Sequence, residues 1–115
     1  MVLPLSFSSC YYDELPPENI VIPDVVSYST DIQPIFNQSC IGCHNPGSVE
    51  PDLTNPNSYN ILINEGWVVP ENANGSDLYK SLIGDGAPLM PPNGALSDGK
   101  ITLVQKWINQ GALNN

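Results

Sequence analysis

Residues 40–44 read Cys40-Ile41-Gly42-Cys43-His44, and this CxxCH pentapeptide decides how the rest of the chain is interpreted. Two thiols separated by two residues can form thioethers with the two vinyl groups of one haem. The adjacent imidazole then falls beneath the iron as its proximal axial ligand. The spacing therefore predicts one covalent haem c per chain, attached through Cys40 and Cys43 and ligated by His44.

Two other interpretations of these cysteines stay open. A thioredoxin-like thiol pair has the same CxxC spacing, but it is expected beside a βαβ pattern, whereas the residues before Cys40 have helical periodicity. Cys10, Cys40, Cys43 and His44 together form a Cys3His set, which is a ligand set for structural zinc. Neighbouring Cys43 and His44 would have to bend sharply to bind one ion, so haem attachment is favoured.

Length and charge limit the classes of function. With 115 residues the chain has room for one domain and a small core, to which a haem would add a large apolar disc. Twelve acidic residues against three lysines and no arginine give a formal net charge of −9. Such a chain is repelled by nucleic acid and anionic membranes and attracted to basic protein faces. The alternative is a solvated acidic surface without a specific partner.

Residues 1–28 are interpreted as a leader and tether, and residues 29–115 as the folded domain. A brief apolar stretch over residues 1–7 precedes two serines and Cys10, which resembles the end of a bacterial lipoprotein signal without its basic start. With Cys40 and Cys43 assigned to haem, lipidation explains the odd cysteine. The sequence thus predicts an exported protein, either periplasmic or anchored through Cys10 to a membrane and facing the periplasm or the cell surface. A proline-rich, acidic spacer follows up to Val26.

Hydrophobic spacing predicts four short helices. The first begins near residue 30, with Thr30 or Asp31 as its cap and Gln33 closing a capping box with Thr30. The second begins at Ser58 as its cap, the third covers residues 76–83, and the fourth covers residues 98–110 after the cap Ser97. The fourth has a broad apolar stripe that is expected to pack on the first helix and close the haem pocket; the stripe contains Ile101, Leu103, Val104, Trp107 and Ile108.

Two further residues, Leu53 and Trp67, are candidates for contact with the haem, and a loop carbonyl is a candidate for contact with His44. Leu53 is the one large apolar side chain in the loop after His44, so it is expected to pack against the haem. A carbonyl of that loop, with Pro56 as the first choice, is expected to accept the second ring N–H of His44. Trp67 is a candidate partner for the haem propionates, with ordinary packing as the alternative.

Met90 lies in the proline-flanked segment Pro88-Leu89-Met90-Pro91 and is the candidate distal ligand. A thioether suits haem iron as a sixth ligand that raises the reduction potential. A lone methionine is more often a core residue. Here, however, Met90 is the only methionine besides Met1, and the chain has no second histidine.

These segments together resemble the small class I cytochromes c, in particular the planctomycete-type group also found as lipoproteins in Bacteroidetes. The resemblance covers residues 29–113 and implies an all-α fold, haem attached by two cysteines, His/Met ligation and export before haem insertion. Lys100 departs from the family, whose last helix often has an acid there. The matching residues are Asp31, Ile32, Pro34, Ile35, Phe36, Cys40 to His44, Met90, Pro91, Pro92, Trp107, Ile108, Gly111 and Ala112.

The expected function is that of a monohaem electron carrier whose iron cycles between the ferrous and ferric states, with redox proteins that have a basic docking face as partners. No general base, nucleophile or phosphate-binding loop appears elsewhere, so no independent enzymatic turnover is expected. Two alternatives remain: a haem-based sensor in which a small gas displaces Met90, and a peroxidase-like enzyme with an open distal site.

Overall fold

The computed structural model describes residues 20–115, so the predictions for the leader and for Cys10 lie outside the described residues. Within this range the protein is all-helical and contains no β-strand, as predicted. The four α-helices are α1 (Gln33–Ser39), α2 (Ser58–Asn64), α3 (Asp77–Ile83) and α4 (Asp98–Asn109). None of the helices in this part of the chain has the length and apolarity that a membrane crossing requires.

A π-helical turn, Tyr28–Ile32, leads directly into α1. Its cap is Ser27, whose hydroxyl accepts from the backbone N–H of Thr30 at 3.2 Å, while the backbone N–H of Ser27 donates to the Asp31 carboxylate at 2.8 Å. The capping box predicted between Thr30 and Gln33 is therefore wrong, because Gln33 is only 5% exposed and points into the protein.

Helix α2 begins at Ser58, but Ser58 does not cap it. Its hydroxyl is buried and donates to the side-chain oxygen of Gln33 instead of satisfying the helix's own first N–H groups. Helix α3 agrees within one residue with the predicted range 76–83. Gly84 ends it in the left-handed conformation (φ 66°), which glycine adopts without steric cost.

Helix α4 closes the core. Ser97 caps it through the backbone N–H of Lys100, as predicted. The helix packs on α3 and on the Tyr28–Ile32 turn, so the contact expected with the first helix is made by the turn that leads into α1. The Trp107 ring is fully buried, with its centroid 5.0 Å from that of Tyr28. Its N–H donates to the carbonyl of Leu113 at 2.8 Å.

Residues 20–26 form neither helix nor strand, yet they contact the helical domain. Val26 is 1% exposed, and its N–H donates to the side chain of Gln110 at 3.0 Å. A Cβ on Gly99, in the first turn of α4, would lie 2.9 Å from the side chain of Ile20. The glycine at this position therefore lets the incoming segment lie close to α4.

Candidate functional site

The CxxCH pentapeptide forms the turn that ends α1. The N–H groups of Cys40 and Ile41 both donate to the carbonyl of Phe36, at 2.9 and 3.0 Å, and the N–H of His44 donates to the carbonyl of Cys40 at 3.0 Å. This turn brings both cysteines and the imidazole to one wall of the same cavity. Cys40 is half-buried, Cys43 is exposed, and both are free thiols.

The imidazole of His44 is oriented by the loop that follows it. Its Nδ1 lies 3.0 Å from the carbonyl oxygen of Pro51. A carbonyl oxygen can only accept, so Nδ1 carries the proton and Nε2 has the lone pair that a metal needs. The acceptor lies in the predicted loop, but it is Pro51 rather than Pro56. Loop geometry brings Pro51 back to the ring, while Pro56 is an exposed residue beside a second, polar cavity.

Met90 is held by α3. Its backbone N–H donates to the carbonyl of Ser81 at 2.8 Å, in the last turn of that helix, where carbonyl groups lack helical partners. The loop that connects α3 to Met90 begins at Gly84, and the N–H of Asp85 donates to the carbonyl of Lys80 at 3.0 Å. The position of the thioether thus depends on backbone contacts with a regular helix.

One cavity of about 630 Å³ brings together the six residues predicted to attach, ligate or contact the haem. Its size lies within the range of about 300–1,000 Å³ that is usual for cofactor pockets. Apolar side chains from all four helices, among them Phe36, Leu62 and Val104, form much of its lining. The predicted site residues in its walls are Cys40, Cys43, His44, Leu53, Trp67 and Met90.

Leu53 and Trp67 occupy different environments in this cavity. Leu53 is 4% exposed, and its N–H donates to the carbonyl of His44 at 3.0 Å, so it belongs to the loop that supports the imidazole. Trp67 is half-buried, with its ring N–H 3.4 Å from a carboxylate oxygen of Glu65. Its role toward a propionate stays a prediction.

The two cysteines differ in environment. Burial raises the pKa of the Cys40 thiol to about 11, so this thiol is protonated at neutral pH in the folded chain. Within residues 20–115, no group of three or more His, Cys, Asp or Glu side chains is arranged to hold a metal ion. Cys10, the fourth member of the alternative zinc set, lies outside this range.

Sequence reasoning missed a buried polar network behind the site. The Nε2 group of Gln33 donates to the carbonyl of Leu53 and to the side-chain oxygen of Asn37, both at 2.9 Å. Its side-chain oxygen accepts from Ser58, whose hydroxyl is in turn hydrogen-bonded to Tyr28. Gln33 has the position of a helix-capping residue in the sequence, and no local signal distinguishes that role from burial.

The residues fit a haem c attached through the pentapeptide. The two thiols, the imidazole with a free Nε2 and the thioether all line one largely apolar cavity, and the exposed Gly42, Cys43 and Glu50 show that the cavity opens to solvent. A covalently held macrocycle with one accessible edge needs these features.

The chain matches the model of a known protein family. Residues 29–108 match the family model described as cytochrome c oxidase, cbb3-type, subunit III. This match begins in the Tyr28–Ile32 turn, ends in α4 and includes every residue of the site described above. No curated protein and no solved structure matches the chain.

Proposed function

Because the chain belongs to the cytochrome c family described as cbb3-type oxidase subunit III, we propose that it is a monohaem electron carrier with His44 and Met90 as axial ligands. Membership of this family means that the protein has a covalently bound haem c and takes part in haem-based electron transfer with redox partner proteins. The proposal extends to the ligand pair, the attachment points and the charge of the partner.

The assignment of His44 as an axial ligand rests on its hydrogen bond to Pro51. With the proton on Nδ1 directed to a carbonyl 3.0 Å away, Nε2 remains available to the iron. Met90 lines the same cavity, which supports its thioether as the second ligand. A His/Met pair favours the ferrous state relative to other axial pairs, as suits a carrier of relatively high potential.

The haem would supply the one-electron chemistry, and the protein's residues would hold, orient and shield it. Cys40 and Cys43 would attach it, and Phe36, Leu62 and Val104 would cover it with apolar side chains. Retention of both axial ligands leaves no open site for a substrate, so the proposed role is transfer of electrons, by the protein alone or within a larger enzyme complex.

The docking surface is proposed to lie at the open side of the cavity and to receive a basic partner. Val49, 52% exposed, and the exposed Glu50 and Asp77 all line the cavity. An exposed apolar residue with carboxylates beside it suits a partner with an apolar patch and basic residues around it, and the net charge of −9 would accelerate the encounter.

Export is part of the proposal, with a lipid on Cys10 as the anchor. The arguments are the odd cysteine and the apolar stretch before it. A mass measurement of the Cys10 peptide from a membrane fraction tests this directly, because an acyl-bearing cysteine adds mass that a free thiol lacks.

The decisive experiment is purification from a host with haem-maturation machinery, followed by mass measurement and spectra. We expect the mass of one haem per chain, a haem stain that survives denaturing electrophoresis, and the weak red absorption band of methionine bound to ferric iron. Failure of the reduced protein to bind carbon monoxide supports the carrier. Rapid carbon monoxide binding would instead favour a sensor, and peroxide turnover would favour an enzyme.

A further inference from the structure

We propose that Gln33 is a positioning residue that holds the Pro51–Leu53 segment against His44 and thereby lowers the reduction potential of the haem iron. The inference rests on the proposed function, since it takes His44 as the iron ligand. Gln33 lies in the first turn of α1, seven residues before Cys40, and is 5% exposed.

The orientation of the Gln33 amide is fixed by its partners. The carbonyl of Leu53 can only accept, so the group that faces it at 2.9 Å is the NH₂. On the other side the amide oxygen accepts from Ser58, which uses the only proton of that hydroxyl. Tyr28 must therefore donate to Ser58, and burial, which raises the pKa of Tyr28 to about 12, keeps its proton in place.

Leu53 is consequently held by both of its backbone groups. Its N–H donates to the carbonyl of His44 at 3.0 Å, and its carbonyl accepts from Gln33 at 2.9 Å. Two residues earlier, the buried Pro51 accepts the Nδ1 proton of His44. Because a short backbone segment carries all three contacts, release of the Leu53 carbonyl also loosens the acceptor of the imidazole.

The direction of the effect on the potential follows from the charge on the ring. A proton shared with a carbonyl makes the imidazole a more basic ligand, and a more basic ligand stabilises ferric iron relative to ferrous iron. A firm His44–Pro51 bond therefore lowers the reduction potential. Loss of the Gln33 contact weakens that bond and raises the potential.

The test compares Gln33→Leu with Tyr28→Phe in the full-length haem-loaded protein. Gln33→Leu removes the contact with Leu53. Tyr28→Phe removes a hydrogen bond of the same buried network but leaves the bond between Gln33 and Leu53 intact. Two quantities are measured: the midpoint potential, and the exchange of the His44 Nδ1 proton with D₂O, followed by NMR in the reduced state.

We expect a higher potential and about fivefold or faster proton exchange in Gln33→Leu, as loss of one hydrogen bond implies, and neither change in Tyr28→Phe. An unchanged potential and exchange rate in Gln33→Leu would overturn the proposal. Equal changes in both variants would also overturn it, because they would report general loosening of the core.

If Gln33→Leu does not fold, Gln33→Asn takes its place. Its amide is one methylene shorter and does not reach the Leu53 carbonyl, and the same criteria apply. The wild-type spectrum separates this inference from the proposed function. A wild-type protein without histidine-ligated haem would refute the ligand assignment, whereas a normal wild-type spectrum with unaffected variants would refute only the role of Gln33.

Discussion

The Nδ1 atom of His44 lies 3.0 Å from the carbonyl oxygen of Pro51, and the carbonyl of His44 accepts the N–H of Leu53, also at 3.0 Å. The residue that would bind the iron is thus held through its side chain and its backbone by one short segment. This arrangement restrains the ring in the folded protein, which reduces the structural change that accompanies electron transfer.

Leu53→Ala should destabilise the haem-loaded protein by about 2–4 kcal/mol, the usual cost of truncating a buried leucine. Leu53 is 4% exposed, lines the cavity and belongs to the segment that supports His44. Denaturant unfolding measures the change. Leu113→Ala is the control, because this side chain is 47% exposed and its truncation should cost about 0.5 kcal/mol or less. Equal losses in the two variants would contradict the packing role of Leu53.

Met90→Ala should abolish the weak red band of the ferric protein, lower the midpoint potential by on the order of 100 mV, and permit carbon monoxide binding. The reason is that the thioether favours ferrous iron, and axial ligands set haem potentials over a range of about 0.8 V. Leu89→Ala, which alters the neighbouring, partly exposed side chain, is the matched control. Retention of the red band in Met90→Ala would rule out Met90 as the ligand.

Stability should decrease in acid partly through Asp52. The hydrogen bonds that its carboxylate accepts from the hydroxyl and backbone N–H of Thr54 and from Asn57 lower the pKa of Asp52. A lowered pKa means that the stabilisation is present above the unfolded-state value of about 3.9 and is lost as the pH falls through the folded-state pKa.

Asp52→Asn should therefore show a smaller loss of unfolding free energy between pH 5 and pH 3, about the range in which an aspartate titrates, than the wild-type protein. Denaturant unfolding at a series of pH values provides the measurement. Asp24→Asn is the control, because it makes the same change of charge at an exposed position outside this loop. A decrease as steep in Asp52→Asn as in the wild-type protein would show that the carboxylate contributes nothing.

Glu50→Lys should slow oxidation of the reduced protein by a small cationic oxidant, such as tris(phenanthroline)cobalt(III), by about threefold at low ionic strength. Glu50 is exposed and lines the cavity, so its charge acts at the proposed site of electron exit. Asp24→Lys is the control, because it alters the net charge by the same amount at a residue that does not line the cavity. The difference should vanish at about 0.5 M salt, where charges are screened over a few ångströms. Equal slowing by both variants would argue against a docking surface at this position.

Protein produced without haem should lack cooperative unfolding. The cavity of about 630 Å³ is lined by Phe36, Leu62 and Val104, each at most 1% exposed and also part of the core. A void of this size lowers the free energy of unfolding by several kcal/mol, even when it is partly open to water. This loss is a large share of the stability of a small domain. Far-UV circular dichroism during urea titration checks this, and a sharp transition in the haem-free chain would contradict it.

Local patterns were sufficient to predict the four α-helices, although not the caps of the first two. The cap Ser97 and the apolar stripe through Trp107 define α4, and Gly84 follows the last residue of α3. The spacing of CxxCH also identified one wall of the cavity. Each of these depends on residues a few positions apart, where helix geometry alone decides which side chains lie together.

The supporting contacts could not be predicted in this way. Gln33 and Ser58 both have the positions of helix-capping residues, yet each is buried and bonds to a residue at least 20 positions away. Likewise, which carbonyl of the loop accepts from His44 depends on the path of its backbone, and Pro51 and Pro56 are alike in local sequence terms. Tertiary packing, rather than local sequence, therefore determines that Gln33 and Ser58 are buried and that Pro51 accepts from His44.

The burial of Cys40 has a consequence for the order of biosynthesis. The thiolate is the reactive form of cysteine, and in the folded chain burial raises the pKa of Cys40 to about 11. A polypeptide that folded first would offer the maturation apparatus one exposed thiol, Cys43, and one half-buried thiol of raised pKa, Cys40. On the proposed attachment, we therefore expect both bonds to the porphyrin to form more readily on an open chain, with folding as the last step of maturation.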